Sequence, residues 1–99
     1  MGYHLRPMGD QAVDPVLLSL REEIAAADRD LVAAFARRLR AAAEIRSHKQ
    51  ERGYAFIDPA REQQLFAEWC EANDGTISDE ALLELYEAVL TLSKRESAR

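Results

Sequence analysis

The sequence predicts an all-α fold, and three observations carry that expectation. Proline and glycine number only three and four in 99 residues, amid much Ala, Leu, Glu and Arg, the composition of good helix formers. No stretch alternates apolar and polar residues strictly enough for a half-buried strand. Between Leu17 and His48, positions spaced alternately by three and four read Leu17, Leu20, Ile24, Ala27, Leu31, Ala34, Arg38, Ala41, Ile45 and His48. That is a heptad seam with one fixed cation set into it.

Residues 1–14 precede the first helix signal and are expected to form a flexible extension, with residues 15–99 as a single domain. The run MGYHLRPMGDQAVDP has no long apolar stretch, so it reads as neither a secretory signal nor a membrane span. Arg6 stands where a myristoylation signal wants Ser or Thr, and Met8 offers an alternative start.

Asp14-Pro15 places an N-cap ahead of a first-turn proline, and nothing from Val16 to about Arg52 breaks a helix. At 1.5 Å per residue this first helix is roughly 50 Å long, whereas a domain of this size would be about 26 Å across. It carries a second apolar row, Val32, Phe35, Ala36, Leu39 and Ala43. Two rows on one long helix need two sets of neighbours, and a dimer with paired long helices is the economical solution. The chain is also near the lower end of what closes a core alone.

Gly53 is the expected stop, and Tyr54 to Ile57 a short connector. Asp58-Pro59 repeats the cap and proline signature. The second helix is expected to run to about Asn73 and to bury Leu65, Phe66 and Trp69, with Gly75 breaking it. Glu62, three residues before Leu65, places a carboxylate on the inward face. Ser78 caps the third helix, with Asp79 and Glu80 in its first turn. Its expected buried stripe is Leu82, Leu85, Tyr86, Val89 and Ser93, so that a hydroxyl ends an apolar row.

A formal net charge of −5 argues against nucleic acid as a partner, because neutralising phosphates needs a basic surface. Any cationic site must then be local. The single cysteine, Cys70, excludes an intrachain disulfide and fits a reducing, cytoplasmic setting. No His or Cys set has metal-ligand spacing, and no nucleophilic triad, phosphate-binding glycine loop or redox-cofactor motif is present. Neither a metal nor a cofactor is expected.

A guanidinium in an apolar seam costs several kcal/mol unless an anion meets it. Arg38 therefore predicts either a register-setting carboxylate partner or a bound anionic ligand. Lys49 lies eleven residues further on, about 1,100° of helical turn, which puts it within roughly 20° of the Arg38 face and about 16 Å away. Two long cationic side chains reaching toward each other can bracket a small dianion. Arg21 is about 25 Å from Arg38 and turned by roughly 100°, so it cannot serve that site from the same helix. In an antiparallel pair of long helices, the Arg21 of one chain returns beside the Arg38 of the other. Arg61 and Glu62 can close the site.

The run LREEIAAADRDLVAAFARRLRAAAEIRSHK, followed by DPARE and SDEALLELYEAVLTLS, resembles the helical, AroQ-type chorismate mutases over about residues 17 to 97. The resemblance implies an intertwined homodimer of three-helix subunits with a long first helix and two composite sites. By position, Arg21 would reach from the partner subunit to a substrate carboxylate, Arg38 would bind carboxylate within its own subunit, and Lys49 would donate to the ether oxygen and a carboxylate. Asp58, through its backbone, and Glu62 would hold the ring hydroxyl, Arg61 would support the carboxylate end, and Ser93 would contact the ring carboxylate. The implied reaction converts chorismate to prephenate and needs no cofactor. The family usually has Gln or Glu four residues after Ser93, where this chain has Ser97, and losing such a donor implies a modest rate. The same resemblance admits an isochorismate-pyruvate lyase, a 4-amino-4-deoxychorismate mutase, or a weak helical dimer activated by the first enzyme of the aromatic pathway.

Overall fold

The structure is a computed structural model that describes residues 11–99. The expectations for residues 1–10, including the alternative start at Met8, lie outside the described residues. Among the described residues, after a helical turn at residues 11–13, three helices follow: α1 (Pro15–Arg52), α2 (Pro59–Ala72) and α3 (Asp79–Ser97). None is long and apolar enough to cross a membrane.

Each helix begins where the local chemistry requires. The Asp14 carboxylate accepts from the Val16 and Leu17 amides at 2.9 and 3.3 Å, satisfying donors that the first turn of α1 leaves open. Asp58 accepts from the Arg61 amide at 3.2 Å at the head of α2, and Ser78 Oγ from the Ala81 amide at 3.2 Å at the head of α3. Such caps stabilise a helix by about 1 kcal/mol each. α1 ends on Lys49 and Arg52, whose charges favour the negative end of the helix dipole. Gly53 then turns the chain with φ 69°, a left-handed conformation costly for other residues. Because α1 continues to Arg52, the connector is limited to the residues from Gly53 to Asp58.

The link from α2 to α3 is built by side chains. Asn73 accepts from the Gly75 and Ile77 amides at 3.2 Å and donates to the Ile77 carbonyl at 2.7 Å. Hydrogen bonds from Thr76 hold the Asp74 carboxyl below its ordinary value.

The described residues fall into two compact units, one reaching to Ala36 and the other from Arg37 to Arg99. The N-terminal unit leaves seam residues exposed: Leu20 by 48%, Ile24 by 62% and Leu31 by 64%. The second unit packs α2 against α3. Tyr86 is its centre, with ring centroids 4.9 Å from Phe66 and 5.4 Å from Trp69, the latter edge to face. The Tyr86 hydroxyl donates to the Glu62 carbonyl at 2.8 Å, so the ring is buried with its polar end satisfied.

Leu82, Tyr86 and Ser93 are the buried members of the expected α3 stripe. Leu85 is 43% exposed and does not belong to it. A single neighbouring helix covers a strip centred on positions 82, 86, 89–90 and 93, and Leu85 falls on its margin. Leu65, Phe66 and Trp69 of α2 are half-buried rather than buried.

Candidate active site

Within the unit from Arg37 to Arg99 the last turns of α1, the start of α2 and the end of α3 surround an open cleft of about 370 Å³. That volume is in the range of small-molecule sites. α1 supplies Arg38, Ala41, Ala42, Ile45, Arg46 and Lys49, which is one helical face written as steps of three and four. The connector adds Phe56 and Asp58, and α2 adds Arg61, Glu62 and Leu65. α3 adds Leu90, Ser93, Lys94 and Ser97, again one face.

Seven of the candidate residues thus line one cleft: Arg38, Lys49, Asp58, Arg61, Glu62, Ser93 and Ser97. Arg21 does not. It belongs to the N-terminal unit and is exposed.

The lining is electropositive in an acidic chain. Arg38, Arg46, Lys49, Arg61 and Lys94 face two carboxylates, Asp58 and Glu62, an excess of three positive charges where the whole chain carries −5. Focusing cations on a concave surface raises its affinity for anions beyond what net charge suggests.

The partners of each charge decide which remain available. Arg38, half-buried on α1, donates from Nη1 to Ser93 Oγ at 2.6 Å. Among the described residues no carboxylate lies within ion-pair distance of it. Of the two outcomes its sequence position allowed, a carboxylate partner is therefore not found within this chain's described residues. A neutral hydroxyl orients the guanidinium without cancelling its charge. Lys49 Nζ likewise meets a neutral acceptor, the Phe56 carbonyl at 3.3 Å. Arg61 is held at the rim by Glu68 at 3.5 Å, a pair more than half exposed and hence weak. Asp58 is engaged as the α2 cap. Glu62 pairs with Lys94 at 2.9 Å.

Of the charged and aromatic lining residues, Lys94, Arg46 and Phe56 are not among those the sequence singles out. Lys94 and Arg46 were legible by periodicity, since Lys94 lies four residues after Leu90 and Arg46 eight after Arg38. Phe56 had no such signal. The connector places it so that the Arg46 guanidinium sits over its ring at 4.6 Å, a cation–π contact that ties the connector to α1. His48, at the end of the expected seam, instead stands edge-on to Tyr54 and does not line the cleft; the adjacent Lys49 does.

Among the described residues no histidine or cysteine lines the cleft, and its two serine hydroxyls engage the Arg38 guanidinium and the Lys94 carbonyl. The cleft therefore presents an excess of positive charge on an all-helical frame. The sequence matches the model of the chorismate mutase type II family over residues 20–98, most of the chain, and the protein belongs to that family. Comparisons with curated proteins and with solved structures gave no match.

Proposed function

We propose that this protein is a chorismate mutase that rearranges chorismate to prephenate. One observation carries the reading: Arg38 and Lys49 face the same cleft and, among the described residues, are satisfied there by neutral groups alone. Both positive charges are therefore available to a dianion. Membership of the family supports that reaction for such a site.

The rearrangement is pericyclic. One carbon–oxygen bond breaks as one carbon–carbon bond forms, with no proton transfer and no covalent intermediate. The protein's task is to hold a flexible dianion folded, so that the carbon termini meet, and to stabilise negative charge as it grows on the ether oxygen. Arg38 would hold one carboxylate, with its fork aimed by Ser93. Lys49 would leave the Phe56 carbonyl and donate to the ether oxygen, where a fixed cation in a site closed to water acts most strongly. Glu62, the carboxylate not engaged in capping a helix, would receive the ring hydroxyl.

The active form we propose is a homodimer, supported by the exposure of Leu20, Ile24 and Leu31 on α1. Covering them with a second chain buries apolar surface at about 25 cal/mol per Å². In that dimer the partner subunit would contribute its Arg21 as a further carboxylate ligand. The lone Cys70 is exposed and free, as suits a reducing cytoplasm.

One observation favours a slow enzyme. The Ser97 hydroxyl donates to the Lys94 carbonyl at 3.5 Å, within its own helix, and so gives the cleft little. A partner enzyme of the aromatic pathway that reshapes this end of α3 would then raise the rate.

The test is conversion of chorismate by the purified protein with the product identified. Prephenate supports the reading. Pyruvate released from isochorismate, or turnover of the 4-amino-4-deoxy analogue in place of chorismate, would replace it with a sister chemistry.

A further inference from the structure

The two carboxylates of the cleft differ in what engages them. Asp58 caps α2. Glu62 is the acceptor left for a donor group on the ligand, and it is already paired: its Oε1 lies 2.9 Å from Lys94 Nζ. The pair spans α2 and α3, both members line the cleft, and the Glu62 side chain is only 34% exposed. Its main chain is fixed as well, because the Tyr86 hydroxyl donates to the Glu62 carbonyl at 2.8 Å. Glu62 is thus held from both ends, by a neutral donor on its backbone and a cation on its carboxylate.

This arrangement sets what Glu62 can recognise. A carboxylate retains acceptor capacity after one ion pair, having about four lone-pair sites, so a ligand hydroxyl can still donate to it. A ligand ammonium is different, since it would enter a site where Lys94 has already balanced the carboxylate and where the neighbouring charges are positive. The two groups are nearly the same size, so steric fit cannot separate them. Charge can.

We propose that Lys94 is a specificity-determining positioning residue, which by pairing with Glu62 selects a dianion bearing a neutral ring hydroxyl over the same dianion bearing a ring ammonium. The proposal rests on the mutase reading above and deepens it. Lys94 acts through Glu62 and through its own charge; it performs no step of the rearrangement. Replacing Lys94 by a neutral side chain leaves Glu62 unpaired, removes one repulsive cation and improves the relative standing of the ammonium ligand. The pair is partly solvated, so the change in preference is moderate, about fivefold.

The experiment measures kcat/KM for chorismate and for its 4-amino-4-deoxy analogue with wild type, Lys94→Met, Lys94→Gln and Lys94→Arg. The amino-to-hydroxyl ratio is expected to rise about fivefold in both neutral variants and to return to the wild-type value in Lys94→Arg. A purely structural role for Lys94 would lower both rates together and leave the ratio unmoved. An unmoved ratio in the neutral variants, with wild type active on chorismate, overturns the proposal alone. Wild type inactive on both compounds overturns the mutase reading and the proposal with it. Lys94→Gln preserves the test if Lys94→Met does not fold.

Discussion

The Arg38 guanidinium and the Ser93 hydroxyl, 55 residues apart in sequence, lie 2.6 Å from each other, joining the first helix to the last. Ser93 is 4% exposed, so the hydroxyl is fixed by its surroundings and aims the guanidinium into the cleft. The contact is neutral on one side, and the positive charge of Arg38 stays available to a ligand. In Ser93→Ala that orientation is lost while the charge remains. We expect KM for chorismate to rise by several-fold with a smaller change in kcat, the pattern of weakened binding. Equal steady-state constants in wild type and variant would show that Ser93 does not orient Arg38.

Lys49 is expected to act on the transition state more than on binding. Removing one donor to a developing oxyanion costs about 10²-fold to 10³-fold in turnover. Lys49→Met should lower kcat by that order while KM changes little. A variant that raises KM with kcat intact would assign Lys49 to ground-state binding instead.

Tyr86 joins packing to site geometry, since its ring sits between Phe66 and Trp69 and its hydroxyl holds the Glu62 backbone. Tyr86→Phe keeps the ring and deletes the hydrogen bond, leaving the Glu62 carbonyl without this donor. The cost should be about 1 kcal/mol in a denaturant titration, against about 3 kcal/mol or more for Tyr86→Ala, which also empties the core. Equal stabilities for the two variants would mean that the ring contributes nothing.

Ser97 marks the end of α3 where the cleft lacks a long donor. Ser97→Gln extends an amide into that space and is expected to raise kcat. An unchanged or lower rate would show that Ser97 does not limit turnover.

A composite site makes a stoichiometric prediction. Arg21→Ala and Arg38→Ala homodimers should each be nearly inactive. Refolded together, they should recover about a quarter of the wild-type rate, because half the dimers are mixed and each mixed dimer has one intact site. Sedimentation should give twice the 11.2 kDa chain mass. Absence of recovery in a mixture shown to contain mixed dimers would place Arg21 outside the site.

Much of this was legible in the sequence, for reasons that differ by element. The helix starts at Pro15, Pro59 and Asp79 follow from Asp14, Asp58 and Ser78, because a capping side chain and its amide are neighbours in sequence. Arg38 and Lys49 could be placed on one face because helical geometry is regular over eleven residues. The departures concern tertiary neighbours. Whether Leu85 is covered depends on the width of the strip α2 protects, which no local pattern encodes. The pairing of Lys94 with Glu62 depends on how α3 lies against α2, and the approach of Phe56 to Arg46 on the path of an irregular connector. Arg21 has no local sign in the sequence of what it meets.

In the proposed function, the charge that Arg38 keeps in the cleft binds a dianion that the protein converts. The most direct measurement compares wild type and Arg38→Ala for product-resolved conversion of chorismate, with circular dichroism showing both to be folded. Prephenate is expected from wild type, with a loss of at least about 10²-fold in kcat/KM for the variant. Prephenate formed equally well by folded Arg38→Ala, or none formed by wild type, would contradict it.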